Sequence, residues 1–151
     1  KILKKSVLWI LDRVVIASAL GAVFIRIGNF FNSEMIGKPT EEGFPLAIIF
    51  RQLDNVPRHP GQLYESFGYV FVFITLFLLY WKTKKSTQTG FLFGLFLVLL
   101  MSVRVFVEQF KIAQIDSRED WILDLNTGQV LSIPFVVCGL YFMFFYKPKT
   151  T

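Results

Sequence analysis

The chain has 151 residues, of which 54% are hydrophobic, with a mean hydropathy of +0.53 and a formal net charge of +5. That is more apolar surface than one water-soluble core of this length can hide. A single cysteine, Cys138, and a single histidine, His59, exclude an internal disulfide and any ordinary zinc ligand set, and no cofactor is implied.

In chain order, four stretches are apolar enough to cross a bilayer core, which takes about 20 helical residues, or about 17 at the short end. Span A covers 6–27, span B 64–81, span C 89–110 and span D 128–146. Pro134 is expected to kink span D. The fold class read from this is an all-α integral membrane protein, one transmembrane domain over 1–151 with connections at 28–63 and 111–127. The alternative is one large buried helical core. The N-terminal stretch has a basic start but no small-residue cleavage site, so it is not read as a signal peptide. The chain begins with Lys rather than Met, which suggests a piece of something longer.

The charges orient the spans. Lys1, Lys4 and Lys5, then Lys82, Lys84 and Lys85, then Lys147 and Lys149 form three clusters without acids. Glu34, Glu41, Glu42 and Asp54 lie in the A–B connection, and Asp116, Glu119, Asp120 and Asp124 in the C–D connection. The positive-inside rule therefore places both termini and the B–C loop in the cytoplasm. The lysines act as topology signals, and no basic patch interleaved with aromatics remains for nucleic acid.

That orientation gathers the unusual polar groups at one level. Arg26 lies about 30 Å along span A, Arg104 and Glu108 lie in the outer part of span C, and "HPGQLYE" (59–65) carries His59, Gln62, Tyr64 and Glu65 into span B. Gln129 and Ser132 open span D. Taken singly, each has a plain structural account: Arg104–Glu108 as an i,i+4 pair, Arg26 reaching for the surface, Asn29 and Asn32 capping a helix end. Those accounts leave unexplained why all share one leaflet, while the inner leaflet holds only Asp12 and Arg13, expected on different sides of the helix near the cytoplasmic headgroups. A polar cavity open to the outer leaflet explains the clustering. Two arginines suit a phosphate, Gly28 and Gly37 allow close backbone approach, and a phospholipid headgroup is the natural guest. Cys138, about 10 residues into span D, is expected to be a buried, inert thiol.

Four motifs carry a resemblance. "RIGNFFNSEMIG" (26–37), "HPGQLYE" (59–65), "RVFVEQFK" (104–111) and "GQVLSIP" (128–134) resemble, in order and rough spacing, those of the prolipoprotein diacylglyceryl transferase family. The resemblance implies a seven-span bacterial inner-membrane enzyme of which this chain is the C-terminal part. Such an enzyme moves the diacylglyceryl group of phosphatidylglycerol onto the lipobox cysteine of a prolipoprotein signal peptide and releases glycerol-1-phosphate. By position, Arg26 and Arg104 would bind phosphate, Asn29, Asn32, Glu34 and Gly37 would shape the headgroup site, and Glu108 would orient Arg104. His59, Gln62, Tyr64 and Gln129 would line the cavity, with His59 a candidate base. Three departures stand out: Ile25 in place of a family Gly, Leu100 in place of a family Tyr, and no His-Gly stretch upstream of the signature. Two rival readings are a non-catalytic subunit binding anionic phospholipid, and a transporter fragment, which would need polar residues through both leaflets. The 41–55 stretch reads as either an interfacial element or a peptide-binding arm.

Overall fold

The structure is a computed structural model describing residues 6–41, 43–112 and 127–146. Four helices dominate it: α1 (Val7–Phe31), α2 (Gly61–Lys82), α3 (Phe91–Glu108) and α4 (Thr127–Phe144). The first three are long and apolar enough to cross a membrane, and Gly128–Phe144 is a shorter apolar helix. α4 runs unbroken through Pro134. The terminal lysines, Glu42 and the acids of the C–D connection lie outside the described residues.

Burial is inverted relative to a water-soluble protein. The core is small, built on Ala19, Val72, Leu76, Phe91 and Leu92. Large apolar side chains instead point outward along the helices, among them Phe24, Phe67, Phe71, Trp81, Phe135 and Val137. Such faces suit hydrocarbon or further helices, and a helix satisfies its own backbone there. With the apolar helices, this establishes an all-α membrane protein.

α1 packs on α2, α2 on α3, and α3 on α4. At the α3–α4 crossing Gly94 and Gly139 face each other so closely that a Cβ on either would meet the other's carbonyl oxygen, at 2.5 and 2.6 Å. This is the small-residue contact by which membrane helices approach.

The end of the bundle that carries the Lys84–Thr87 turn is closed by Asp12. It is almost fully buried within the bundle. Its Oδ2 accepts from Gly90 N–H at 2.6 Å and its Oδ1 from Phe93 N–H at 2.8 Å. Gly90 precedes α3 as its N-cap and offers no side-chain cap, so a carboxylate from α1 satisfies the first amides and faces the helix's positive pole. Arg13 turns away, donating to Trp9 O at 2.7 Å with its guanidinium over the Trp9 ring. Asp12→Ala orphans two amides and is expected to lower unfolding free energy by about 2–4 kcal/mol, with Asp12→Asn losing less. Denaturant unfolding in detergent checks both.

The other end is tied by backbone. β1 (Ile48–Ile49) and β2 (Pro57–Arg58) form an antiparallel hairpin with Ile48 opposite Arg58. The segment 36–40 pairs on both sides: Lys38 N–H donates to Phe110 O at 2.8 Å, and His59 N–H donates to Lys38 O at 3.0 Å. One strap thus joins the start of α2 to the end of α3. Residues 48–55 of the 41–55 stretch lie within the hairpin, which Arg58 braces from Asp54 at 2.6 Å. Those hydrogen bonds from Arg58 hold the Asp54 carboxyl below the usual carboxylate range.

Candidate functional site

The last turns of α1 build the first wall. The helix ends at Phe31, and Asn32 caps it through its backbone N–H to Gly28 O at 3.0 Å. Ser33 and Met35 then adopt left-handed conformations at φ 56° and 55°, a cost of roughly 1 kcal/mol or more each for residues other than glycine. Between them, Glu34 N–H donates to Asn29 O at 2.9 Å, and Glu34 O accepts from Gln62 Nε2. The Glu34 side chain is exposed, so its carbonyl is the group turned to the site. Gly37 follows, where any Cβ would overlap the His59 carbonyl oxygen. Its close approach is required, whereas Gly28 has open space around it.

α2 supplies the centre. Gln62 and Glu65 lie one turn apart and are fully buried. Glu65 Oε2 is 2.8 Å from Arg26 Nε and 2.9 Å from Lys111 Nζ, and Lys111 Nζ is 3.7 Å from Glu108 Oε2. The approach to Glu65 is off the hydrogen-bonding direction, so both its oxygens and Gln62 Oε1 are buried acceptors without an aligned donor among the described residues. With its amide turned to suit both neighbours, Asn29 accepts from Arg26 Nη1 at 3.2 Å and donates to Ile25 O at 3.2 Å. Arg26 is therefore fixed by Glu65 and Asn29 rather than reaching for the surface.

The expected Arg104–Glu108 pair does not form. Glu108 faces Lys111 instead. Arg104 is half-buried and makes no ion pair within 4.0 Å among the described residues. Spacing alone permits an i,i+4 pair, but Lys111 sits past the helix end, where the strap turns it back toward Glu65. Gln129 opens α4 and donates to Val105 O at 3.2 Å, so it ties α4 to α3. Ser132 bonds Gly128 O on its own helix at 2.7 Å.

His59 and Tyr64 lie outside this cluster. The His59 ring packs edge-on against Phe44 at 4.9 Å and Phe110 at 5.3 Å, with Nδ1 3.3 Å from the Tyr64 hydroxyl. It lines a loop-side pocket of about 520 Å3 with Thr40, Glu41 and Phe44. Tyr64 borders an apolar groove of about 630 Å3 between α2 and α3, walled by Leu46, Phe67, Val103 and Phe106. Cys138 is exposed on α4, which corrects the expectation of a buried thiol. Its helix turns that face away from the bundle.

The sequence reading missed Lys111 as an ion partner. A carboxylate such as Glu65 in an apolar span demands a cation, and that was the available signal. Tyr69 is one turn further along the same face of α2.

Among the described residues, the formal charges of this layer are three cations, Arg26, Arg104 and Lys111, against two carboxylates, Glu65 and Glu108. These described residues leave one positive charge, centred on Arg104, which suits a monoanion. The family model for prolipoprotein diacylglyceryl transferase matches residues 1–145. Proteins named phosphatidylglycerol–prolipoprotein diacylglyceryl transferase are similar to this chain in several bacteria. One from Tolumonas auensis is 45% identical over 136 residues, covering 90% of this chain and 51% of the relative. One from Bacteroides fragilis is 42% identical over 146 residues, covering 97% and 51%. One from Chloroherpeton thalassium is 45% identical over 141 residues, covering 93% and 51%. The chain thus spans about half the length of these curated relatives. A match over nearly all of its residues makes the chain a member of the prolipoprotein diacylglyceryl transferase family.

Proposed function

We propose that this protein transfers the diacylglyceryl group of phosphatidylglycerol to the lipobox cysteine thiol of a prolipoprotein. The carbon–oxygen bond to the phosphate breaks, a carbon–sulfur bond forms, the thiol gives up its proton, and glycerol-1-phosphate leaves. The observation that carries this reading is Arg104, a half-buried guanidinium without an ion pair among the described residues, in a layer where Arg26 and Lys111 are already paired. The phosphodiester brings one negative charge and departs as a monoester with more, so a preorganised cationic site favours the transition state over the bound lipid.

Arg26, fixed by Glu65 and Asn29, offers its remaining guanidinium edge to the same phosphate. Gln62 and the Glu34 carbonyl shape the wall, and Asn32, Gly37 and Gln129 hold the backbone that carries it. The apolar groove beside Tyr64 has the chemistry of acyl chains. His59, on the loop side, is placed to meet the peptide rather than the phosphate. The lysine clusters orient the protein in the bacterial inner membrane with this layer in the outer leaflet and the C-terminus in the cytoplasm.

The test is a transfer assay on the intact protein in detergent, following the mass of a lipobox peptide incubated with phosphatidylglycerol. A diacylglyceryl mass gain is expected. Retention of phosphatidylglycerol without any gain would replace the transferase with a non-catalytic lipid-binding membrane protein.

A further inference from the structure

We propose that Tyr69 is a third ligand of the lipid phosphate, donating its phenolic O–H to the anion held between Arg26 and Arg104. This rests on the transferase reading above and names a residue that reading does not use.

Tyr69 lies one helical turn beyond Glu65, on the same face of α2, and is 3% exposed. At this level α2 is wedged between its neighbours. Ser66 Oγ donates to Val23 O of α1 at 3.4 Å, and Gly68 lies against the Val103 side chain of α3. Arg26 is one turn beyond Val23, which brings its guanidinium to the Tyr69 hydroxyl, while Arg104 of α3 acts on that hydroxyl from further away. Arg26, Arg104 and Glu65 are all within electrostatic reach of its hydroxyl.

A guanidinium can only donate, so both arginines can use the phenolic oxygen only as an acceptor, and the O–H proton is left for something else. A buried phenol requires such a partner. Arg26 already commits Nε to Glu65 and Nη1 to Asn29, which removes its full two-pronged grip on a phosphate. A neutral donor beside it restores a second bond to the anion and leaves the charge of the layer unchanged. The alternative acceptor is Glu65, in which case the hydroxyl would serve the ion pair alone.

Tyr69→Phe removes only that hydroxyl. In the intact protein reconstituted in nanodiscs, kcat/KM for phosphatidylglycerol is expected to fall roughly 10- to 100-fold, the range of a hydrogen bond to a charged group. Preference for bound phosphatidylglycerol over phosphatidylcholine, read by native mass spectrometry, should fall in parallel, while retention of uncharged diacylglycerol and the unfolding temperature stay at wild-type values. Replacing Tyr69 with 4-aminophenylalanine, which keeps a donor at the same place, should recover much of the loss. Wild-type kcat/KM and lipid preference in Tyr69→Phe would overturn the proposal, as would equal losses for charged and uncharged lipid. If wild type itself transfers nothing, the transferase reading fails separately, and the lipid-preference comparison still decides the role of Tyr69.

Discussion

Arg104→Ala is expected to lower kcat/KM for phosphatidylglycerol by about 10²–10³-fold, the effect of removing one preorganised donor from a site where anionic charge develops. Arg104→Lys keeps a charge but loses the planar fork and should fall between the two. The unfolding temperature should hardly move. Arg104 has no ion-pair partner within 4.0 Å among the described residues, so its truncation orphans no buried carboxylate among them. Arg26→Ala makes the contrast. It strips Glu65 of one of its two cations and should cost both transfer and stability. Steady-state kinetics beside thermal unfolding in the same detergent separate the two arginines. Wild-type kinetics in Arg104→Ala would remove the phosphate from that place.

The difference between these arginines marks the limit of what the sequence could show. Helix positions were legible because a span of apolar residues has one stable form in hydrocarbon, and α1, α2 and α3 fall where the apolar runs lie. The convergence of Arg26, Glu65 and Glu108 was legible too, because alternating helix direction brings those helix ends to one level. The partners were not. Arg104 and Glu108 have the spacing of a helical pair, but Glu108 lies with Lys111. The cause is the strap at 36–40, whose pairing with Phe110 folds the chain back just after α3. The partners of Asp12 were hidden because nothing in its own span shows that the amide of Gly90 is 2.6 Å away. Cys138 looked buried because its neighbours are apolar, yet in a membrane bundle apolar neighbours also occur on outward faces. Local spacing proposes pairs, and the tertiary path decides among them.

Glu65 gives the second large effect, and here stability and catalysis can be pulled apart. It is fully buried between Arg26 and Lys111, so Glu65→Gln leaves two cations facing a neutral amide. Breaking a buried ion pair from one side costs about 3–5 kcal/mol, and the unfolding midpoint should drop accordingly. Transfer should fall about 10²-fold as well, because Arg26 loses the contact that aims it, and misplacement by about 1 Å is enough for such a loss. Adding Lys111→Met removes one of the orphaned cations and returns the layer to its original net charge. The double variant should therefore regain much of the stability, as neutral replacements of buried ion pairs generally do. It should not regain transfer, because Arg26 still lacks its carboxylate. If the double variant is no more stable than Glu65→Gln alone, Lys111 is not the counterion the geometry makes it. If it recovers transfer along with stability, Glu65 serves the fold alone and Arg26 needs no aiming.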